Sequence, residues 1–131
     1  LETLLEKDYT PIISTVGLDS KYNAFNINAD DVATGVARAL KASKLVFLTD
    51  IEGVLRNPSD PSTRISVINT ESAAELFEQG IITGGMIPKL KNCLEAVQED
   101  VKKVHILDGR LEHSLLIEIF TTSGVGTEIK K

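Results

Sequence analysis

Two near-continuous apolar runs constrain this chain most: Lys44–Thr49 (K-L-V-F-L-T) and Lys103–Leu107 (K-V-H-I-L). Neither alternates apolar with polar residues, so neither suits a strand with one wet face. Runs of this kind form strands of a parallel sheet covered on both faces. Parallel neighbours cannot be joined by a tight turn, and a crossover, usually a helix, has to intervene. The chain supplies such crossovers. Val32, Ala33, Val36, Ala37 and Leu40 predict a helix over Asp30–Leu40, capped by Asn28 or Asp30. Ala73, Ala74, Leu76 and Phe77 predict another over Glu71–Gln79, started by Asn69 or Thr70 and ended by Gly80. Leu90, Cys93, Leu94, Val97 and Val101 predict a third from Pro88 to Glu99, and Leu115, Leu116, Ile119 and Phe120 a fourth over His113–Phe120. Thr10–Val16 reads as a buried strand, and shorter extended segments are expected at Ala24–Asn28, Ile65–Ile68 and Val125–Ile129. Asn57–Arg64, with Pro58 and Pro61, reads as an exposed and mobile excursion.

This order of elements argues for an α/β fold, a three-layer αβα sandwich around a mainly parallel sheet, as one domain over residues 1–131. Ligands of such sheets bind beyond the carboxyl ends of the strands. Thr49, Asp50, Asp108, Gly109 and the loop after Val16 are therefore expected to share one edge, with Gly53 close behind Asp50. A net charge of −5 argues against a general nucleic-acid or anionic-membrane surface. No apolar run approaches the length of a membrane span, and no signal peptide is visible. Cys93, the single cysteine, cannot form an internal disulfide and falls on an apolar helix stripe, which reads as a buried thiol. A cytosolic setting is expected. Leu1, Leu4 and Leu5 have helical spacing, as though the chain opened on the tail of a helix already under way, so an upstream half is expected.

The stretch Ile82-Thr83-Gly84-Gly85-Met86-Ile87-Pro88-Lys89 carries the first chemical signal. Two glycines let backbone approach a ligand closely. A proline suited to a first helical turn follows, then a lysine. A cation is unfavourable at the positive end of a helix unless an anion is also present, which points to phosphate. A loop capping a packing helix, with Lys89 merely solvated, explains the same pattern. The second signal is Asn26-Ile27-Asn28-Ala29-Asp30, two amides and a carboxylate where a strand meets a helix. These groups could bind a carboxylate ligand and hold a lysine, or simply cap the helix. Asp31 adds charge beside Asp30 but is expected to face elsewhere.

N-I-N-A-D at 26–30, L-T-D-I-E-G-V-L at 48–55, T-G-G-M-I-P-K at 83–89, H-I-L-D-G-R-L-E-H-S-L-L-I-E-I-F at 105–120 and G-V-G-T at 124–127 occur in that order. Together they resemble the acetylglutamate kinases of the amino acid kinase family, over the C-terminal, nucleotide-binding half. The resemblance implies transfer of a phosphoryl group from ATP to the γ-carboxylate of N-acetyl-L-glutamate, without a covalent enzyme intermediate. It implies that Lys89 contacts the nucleotide phosphates and that Asp30 orients the catalytic lysines. Asn26 would hold the substrate α-carboxylate, with Asn28 beside it. Thr49, Asp50 and Gly53 would begin the adenine and ribose site, and Gly84 and Gly85 would border the phosphates. Mg2+ would be held by the phosphates and not by a dedicated protein site. In arginine-sensitive members the last helix and the glycine turn after it bind L-arginine, which implies His113, Glu118 and Gly124 here; His105, inside a strand, reads as a packed core residue. The upstream half would supply a second lysine, another glycine loop and a substrate-gripping arginine. The 131 residues alone are thus expected to bind Mg-ATP weakly without turnover, and the longer protein to be a cytoplasmic homo-oligomer. Two alternatives share much of this pattern: another amino acid kinase (aspartate, glutamate 5-, carbamate or UMP kinase), and a non-catalytic arginine-sensing module. N-I-N-A-D argues against the first, and the presence of both Lys89 and Asp30 against the second.

Overall fold

The two apolar runs pair with each other as parallel strands, Leu45 opposite Val104 and Thr49 opposite Asp108. The structure is a computed structural model and describes residues 1–122 and 124–131. In chain order its elements are α1 (Glu2–Leu5), β1 (Val16–Leu18), β2 (Ala24–Asn26), α2 (Ala29–Ala39), β3 (Leu45–Thr49), a 3-10 turn (Pro61–Thr63), β4 (Val67–Ile68), α3 (Thr70–Glu78), α4 (Met86–Gln98), β5 (Val104–Asp108), α5 (Ser114–Phe120) and β6 (Thr127–Ile129). The main sheet has the order β3-β5-β6-β4. β3 is parallel to β5 and β4 to β6, while β6 runs antiparallel to β5.

Strand side chains alternate between faces, and the register assigns them. Leu45, Phe47, Val104, Ile106, Ile129 and Ile68 share one face, all buried. Against it pack Ala37 of α2 and Leu90, Cys93, Ala96 and Val97 of α4, which form the core with them. His105 points the other way and hydrogen-bonds Glu118 of α5. Helices therefore lie on both faces, and the three-layer αβα arrangement follows. The second face is covered less completely than the sequence suggests. Leu48 of β3 is 57% exposed, because α5 lies over β5 and leaves β3 open.

The helices start where local chemistry dictates. The Asn28 side chain caps α2, accepting from the Asp30 and Asp31 N–H groups. Asn69 and Ser72 form a reciprocal capping box at α3, and Gly80, at φ 68°, follows its end. α4 begins two residues before Pro88, at Met86, with no side-chain cap. Three expectations need correction. Thr10–Val16 is not a buried strand: regular pairing begins at Val16, within the local hairpin β1–β2, and Ile12 is 98% exposed. Ala74 faces solvent, so α3 buries a narrower stripe, Ala73 and Leu76. The apolar side of α5 is also open, with Leu116 and Phe120 exposed. In each case the pattern of apolar residues is present but no described neighbour covers it. The Asn57–Arg64 excursion projects outward at Arg56–Ser59. It is closed at its base by the Leu55–Arg64 bridge and by the Asn57 N–H on the Thr63 hydroxyl (3.0 Å).

Candidate active site

α2 and α4 lie side by side with their N-termini at the same end, and this places the first chemical pair. Asp30 is in the first turn of α2 and Lys89 in the first turns of α4. The Lys89 ammonium donates to Asp30 Oδ2 as an ion pair, with both side chains largely screened from water. The Phe47 ring lies beneath the ammonium, 5.2 Å from Nζ to centroid. A carboxylate and a π face on a flexible side chain fix where its charge sits.

Lys89 also lines a cavity of about 420 Å3. Its walls are Ile51, Val54, Leu55, Ile81, Ile82 and Met86, and its polar rim includes Asp50, Gly53, Thr83 and Gly85. Apolar walls with a few converging polar groups characterise small-molecule sites. Of the residues that the sequence pointed to, Asp50, Gly53, Gly85 and Lys89 meet here. Thr49 and Gly84 stand just behind the lining. The Thr49 hydroxyl braces the turn after β3, accepting from the Ile51 N–H (3.1 Å) and bridging to the Leu107 carbonyl (3.3 Å). Gly84 takes a left-handed conformation, φ 53°, in the tight turn that launches α4.

Thr127 is a supporting residue that its motif did not single out. Its buried hydroxyl accepts from the Val54 N–H (2.8 Å) and donates to the Ile65 carbonyl (2.7 Å). The backbone at Gly53 approaches so closely that a Cβ there would lie 2.6 Å from that oxygen. Gly53 is therefore demanded both by φ of 116° and by Thr127. The only signal in the sequence was the threonine ending G-V-G-T.

Asn26 and Asn28 share a second hollow, on the β1–β2 hairpin, with Gly17, Leu18, Asp19, Phe25 and Ile27. The Asn28 oxygen is engaged in capping, at 2.8 Å from the Asp30 N–H. Asp30 thus connects the asparagine hollow, through α2, to the lysine-bearing cavity. At the sheet edge Asp108 binds Arg110 through its backbone N–H, Nε and Nη2. The Arg110 guanidinium holds the Asp108 carboxyl below its ordinary range.

The other polar cluster lies on the opposite face of the sheet. Burial pushes the Glu118 carboxyl up, but the Val125 N–H, His105 and the Gly126 N–H outweigh it and leave its pKa lowered. Glu118 Oε1 pairs with His105 Nδ1 at 2.8 Å, and Oε2 accepts from Val125 at 2.7 Å. His105 is buried, as its place in a strand implied. His113 does not join Glu118: it sits at the start of α5, exposed and at φ 59°. Gly124 does join, on the rim of a hollow of about 310 Å3 shared with His105, Glu118, Glu128, Lys44 and Lys103. Cys93 is fully buried and its thiol is pushed up to about 12, chiefly by desolvation, so it is chemically quiet. Among the described residues no helix is long and apolar enough to cross a membrane.

A model of the amino acid kinase family matches residues 1–108. An acetylglutamate kinase of Methanosarcina acetivorans is 52% identical over 127 residues, covering 97% of this chain and 42% of the relative. An acetylglutamate kinase of Campylobacter jejuni is 54% identical over 97% of this chain and 45% of its own length. The chain thus spans less than half the length of these relatives. Among solved structures, N-acetylglutamate synthase from Neisseria gonorrhoeae complexed with coenzyme A and L-arginine superposes with a TM-score of 0.90. It is 29% identical and covers 99% of this chain and 30% of its own.

Proposed function

We propose, because the chain belongs to the amino acid kinase family, that the protein it forms transfers the terminal phosphoryl group of ATP to the γ-carboxylate of N-acetyl-L-glutamate. The observation that carries this reading is the Lys89–Asp30 ion pair at the lip of an apolar-walled cavity. Phosphoryl transfer asks little covalent chemistry of a protein; it asks for alignment and for positive charge at the transferring group. The cavity walls take the base, and the turn at Gly84 and Gly85 lets backbone N–H groups approach the phosphates. Lys89 supplies the cation, and Asp30 with Phe47 keeps it aimed. Asn26, in the hairpin hollow, takes the acceptor's α-carboxylate, and Asn28 holds the turn that presents Asp30. Asp50 is the one carboxylate among the cavity-lining residues. That is too few ligands for an octahedral ion, which suits Mg2+ carried by the nucleotide phosphates. When bound, the ion neutralises charge on those phosphates.

The acceptor assignment rests on N-I-N-A-D and on the names of relatives above 50% identity. A panel of N-acetylglutamate, aspartate, glutamate, carbamate and UMP, assayed on the intact protein, tests it. Preference for any acceptor other than the first overturns it. In the intact enzyme Lys89→Ala should lower kcat by about 10²–10³-fold, the loss typical of removing one charge-stabilising donor. Turnover that survives the change removes Lys89 from the mechanism. The 131 residues alone should bind nucleotide without turnover, and the intact protein should be a cytoplasmic homo-oligomer.

A separate observation favours a second ligand. The hollow beneath Glu118 presents that carboxylate and the turn at Gly124, with Lys44 and Lys103 also in its lining and Glu128 paired to Lys103 at 2.8 Å. A carboxylate suits a guanidinium, and the lysines suit the carboxylate of the amino acid that bears it. We assign the hollow to an L-arginine effector, with His105 replacing His113 as its histidine. Calorimetric titration of the intact protein with L-arginine should show saturable binding that Glu118→Gln weakens. Binding unchanged by that substitution would place the effector elsewhere.

A further inference from the structure

We propose that Asn92 is a positioning residue for the phosphoryl-transfer site, acting through Asp31; the proposal deepens the kinase reading and rests on it. Asp31 faces a different partner from Asp30, as its place in the sequence suggested, but that partner is on the same helix as Lys89. Its Oδ1 accepts from the Nδ2 of Asn92, one helix turn beyond Lys89 on α4, at 2.8 Å. Residues three apart lie on one helix face, so Lys89 and Asn92 both face α2. The two helices are joined by successive rungs: Asp30–Lys89, then Asp31–Asn92, then Arg38. Arg38 closes the far end, reaching Glu95 at 2.6 Å and Glu99 at 2.8 Å.

The rung at Asn92 has a particular task because no side-chain cap fixes the first turn of α4, which has Gly85 at its N-cap. The first N–H groups of this helix are met by turn bonds alone, Met86 to the Thr83 carbonyl (3.1 Å) and Ile87 to the Gly84 carbonyl (3.2 Å). α2, in contrast, is capped by Asn28, whose oxygen receives both the Asp30 and Asp31 N–H groups. Asp31 thus extends from a turn capped by a side chain to the face of α4 that carries Lys89. The core fixes the register of α4 through Leu90, Cys93, Ala96 and Val97, so the motion left for the rung to oppose is a small tilt or roll of the turns that carry Lys89. Displacements of about 1 Å are enough to cost a large part of a catalytic effect. Lys89 alone cannot prevent this, because its long side chain can hold Asp30 while its backbone drifts.

The test is a double-mutant cycle in the intact enzyme, with acetylglutamate-dependent ADP formation as readout and thermal melts as the check on folding. Asn92→Ala and Asp31→Ala should each lower kcat by about threefold to tenfold, the range for one ordinary hydrogen bond at an exposed position. KM for ATP and acceptor should stay within about twofold, because the loss falls on the transition state. The double variant should be no worse than either single one. Asp31→Asn should retain activity, since its amide oxygen still accepts from Asn92. Additive losses, a folded Asn92→Ala with wild-type kcat, or an Asp31→Asn as damaged as Asp31→Ala would each overturn the proposal. A wild-type enzyme without phosphotransfer would remove the kinase reading itself; an active wild type with an unaltered Asn92→Ala would remove only the positioning role.

Discussion

Glu118 shows how one buried carboxylate can be kept charged by its surroundings. Burial alone would raise its pKa, yet the N–H groups of Val125 and Gly126 and the His105 ring lower it. A carboxyl whose folded pKa lies below its unfolded one adds stability above the unfolded value, near 4.5. That contribution is lost as pH falls through the folded value. Glu118→Gln should therefore cost about 1.5–3 kcal/mol at neutral pH, the scale of hydrogen bonds to a charged group. The gap in melting temperature between variant and wild type should narrow as pH drops below about 4.5. A gap that stays constant from neutral to acid pH would mean that the charge is not what stabilises this site. The histidine paired with Glu118 was invisible from sequence order. His113 is nearer in the chain, but α5 turns it outward, while strand pairing brings His105 up from the layer beneath.

At the scale of elements, what was legible in the sequence was what local chemistry decides. Asn28 and Asn69 cap α2 and α3 because an acceptor one residue before a helix satisfies N–H groups that nothing else reaches. β3 and β5 were legible because a sheet interior excludes polar alternation. The glycine loop and Lys89 suggested an anion site; the structure shows that Asp50, Gly53 and Gly85 line one cavity with that lysine. What escaped depends on distant partners. The side chain of Asp31 is oriented by Asn92, 61 residues away, and helical periodicity alone could not find it. The same holds for Thr127, whose hydroxyl reaches Val54 across 73 residues. Thr10–Val16 has the composition of a strand, but a strand also needs a neighbour's backbone, and only the local hairpin offers one.

For the whole molecule the decisive fact is asymmetry. One face of the sheet is closed by α2 and α4, and its core residues are buried. The other carries α5 and leaves Leu48 and Val67 exposed, with Leu116 and Phe120 open on α5 itself. Ile12 ahead of the hairpin, and Tyr22 and Phe25 on it, are also exposed. Among the described residues β3 ends the sheet, so its outer backbone groups have no strand partner there. Contiguous apolar surface and an unpaired strand edge both favour association. The curated relatives are more than twice as long as this chain, and the added length can cover such surface. Prepared by themselves, the 131 residues should bind the dye ANS strongly and self-associate as concentration rises, measured by light scattering. The intact protein should bind little dye at the same molarity. Nucleotide should change dye binding by the isolated residues only slightly, because the cavity at Lys89 lies apart from α5, on the far face of the sheet. A monomeric, dye-silent preparation of the 131 residues would show that the open face is closed by a rearrangement of the chain's own elements, with α5 moving over β3.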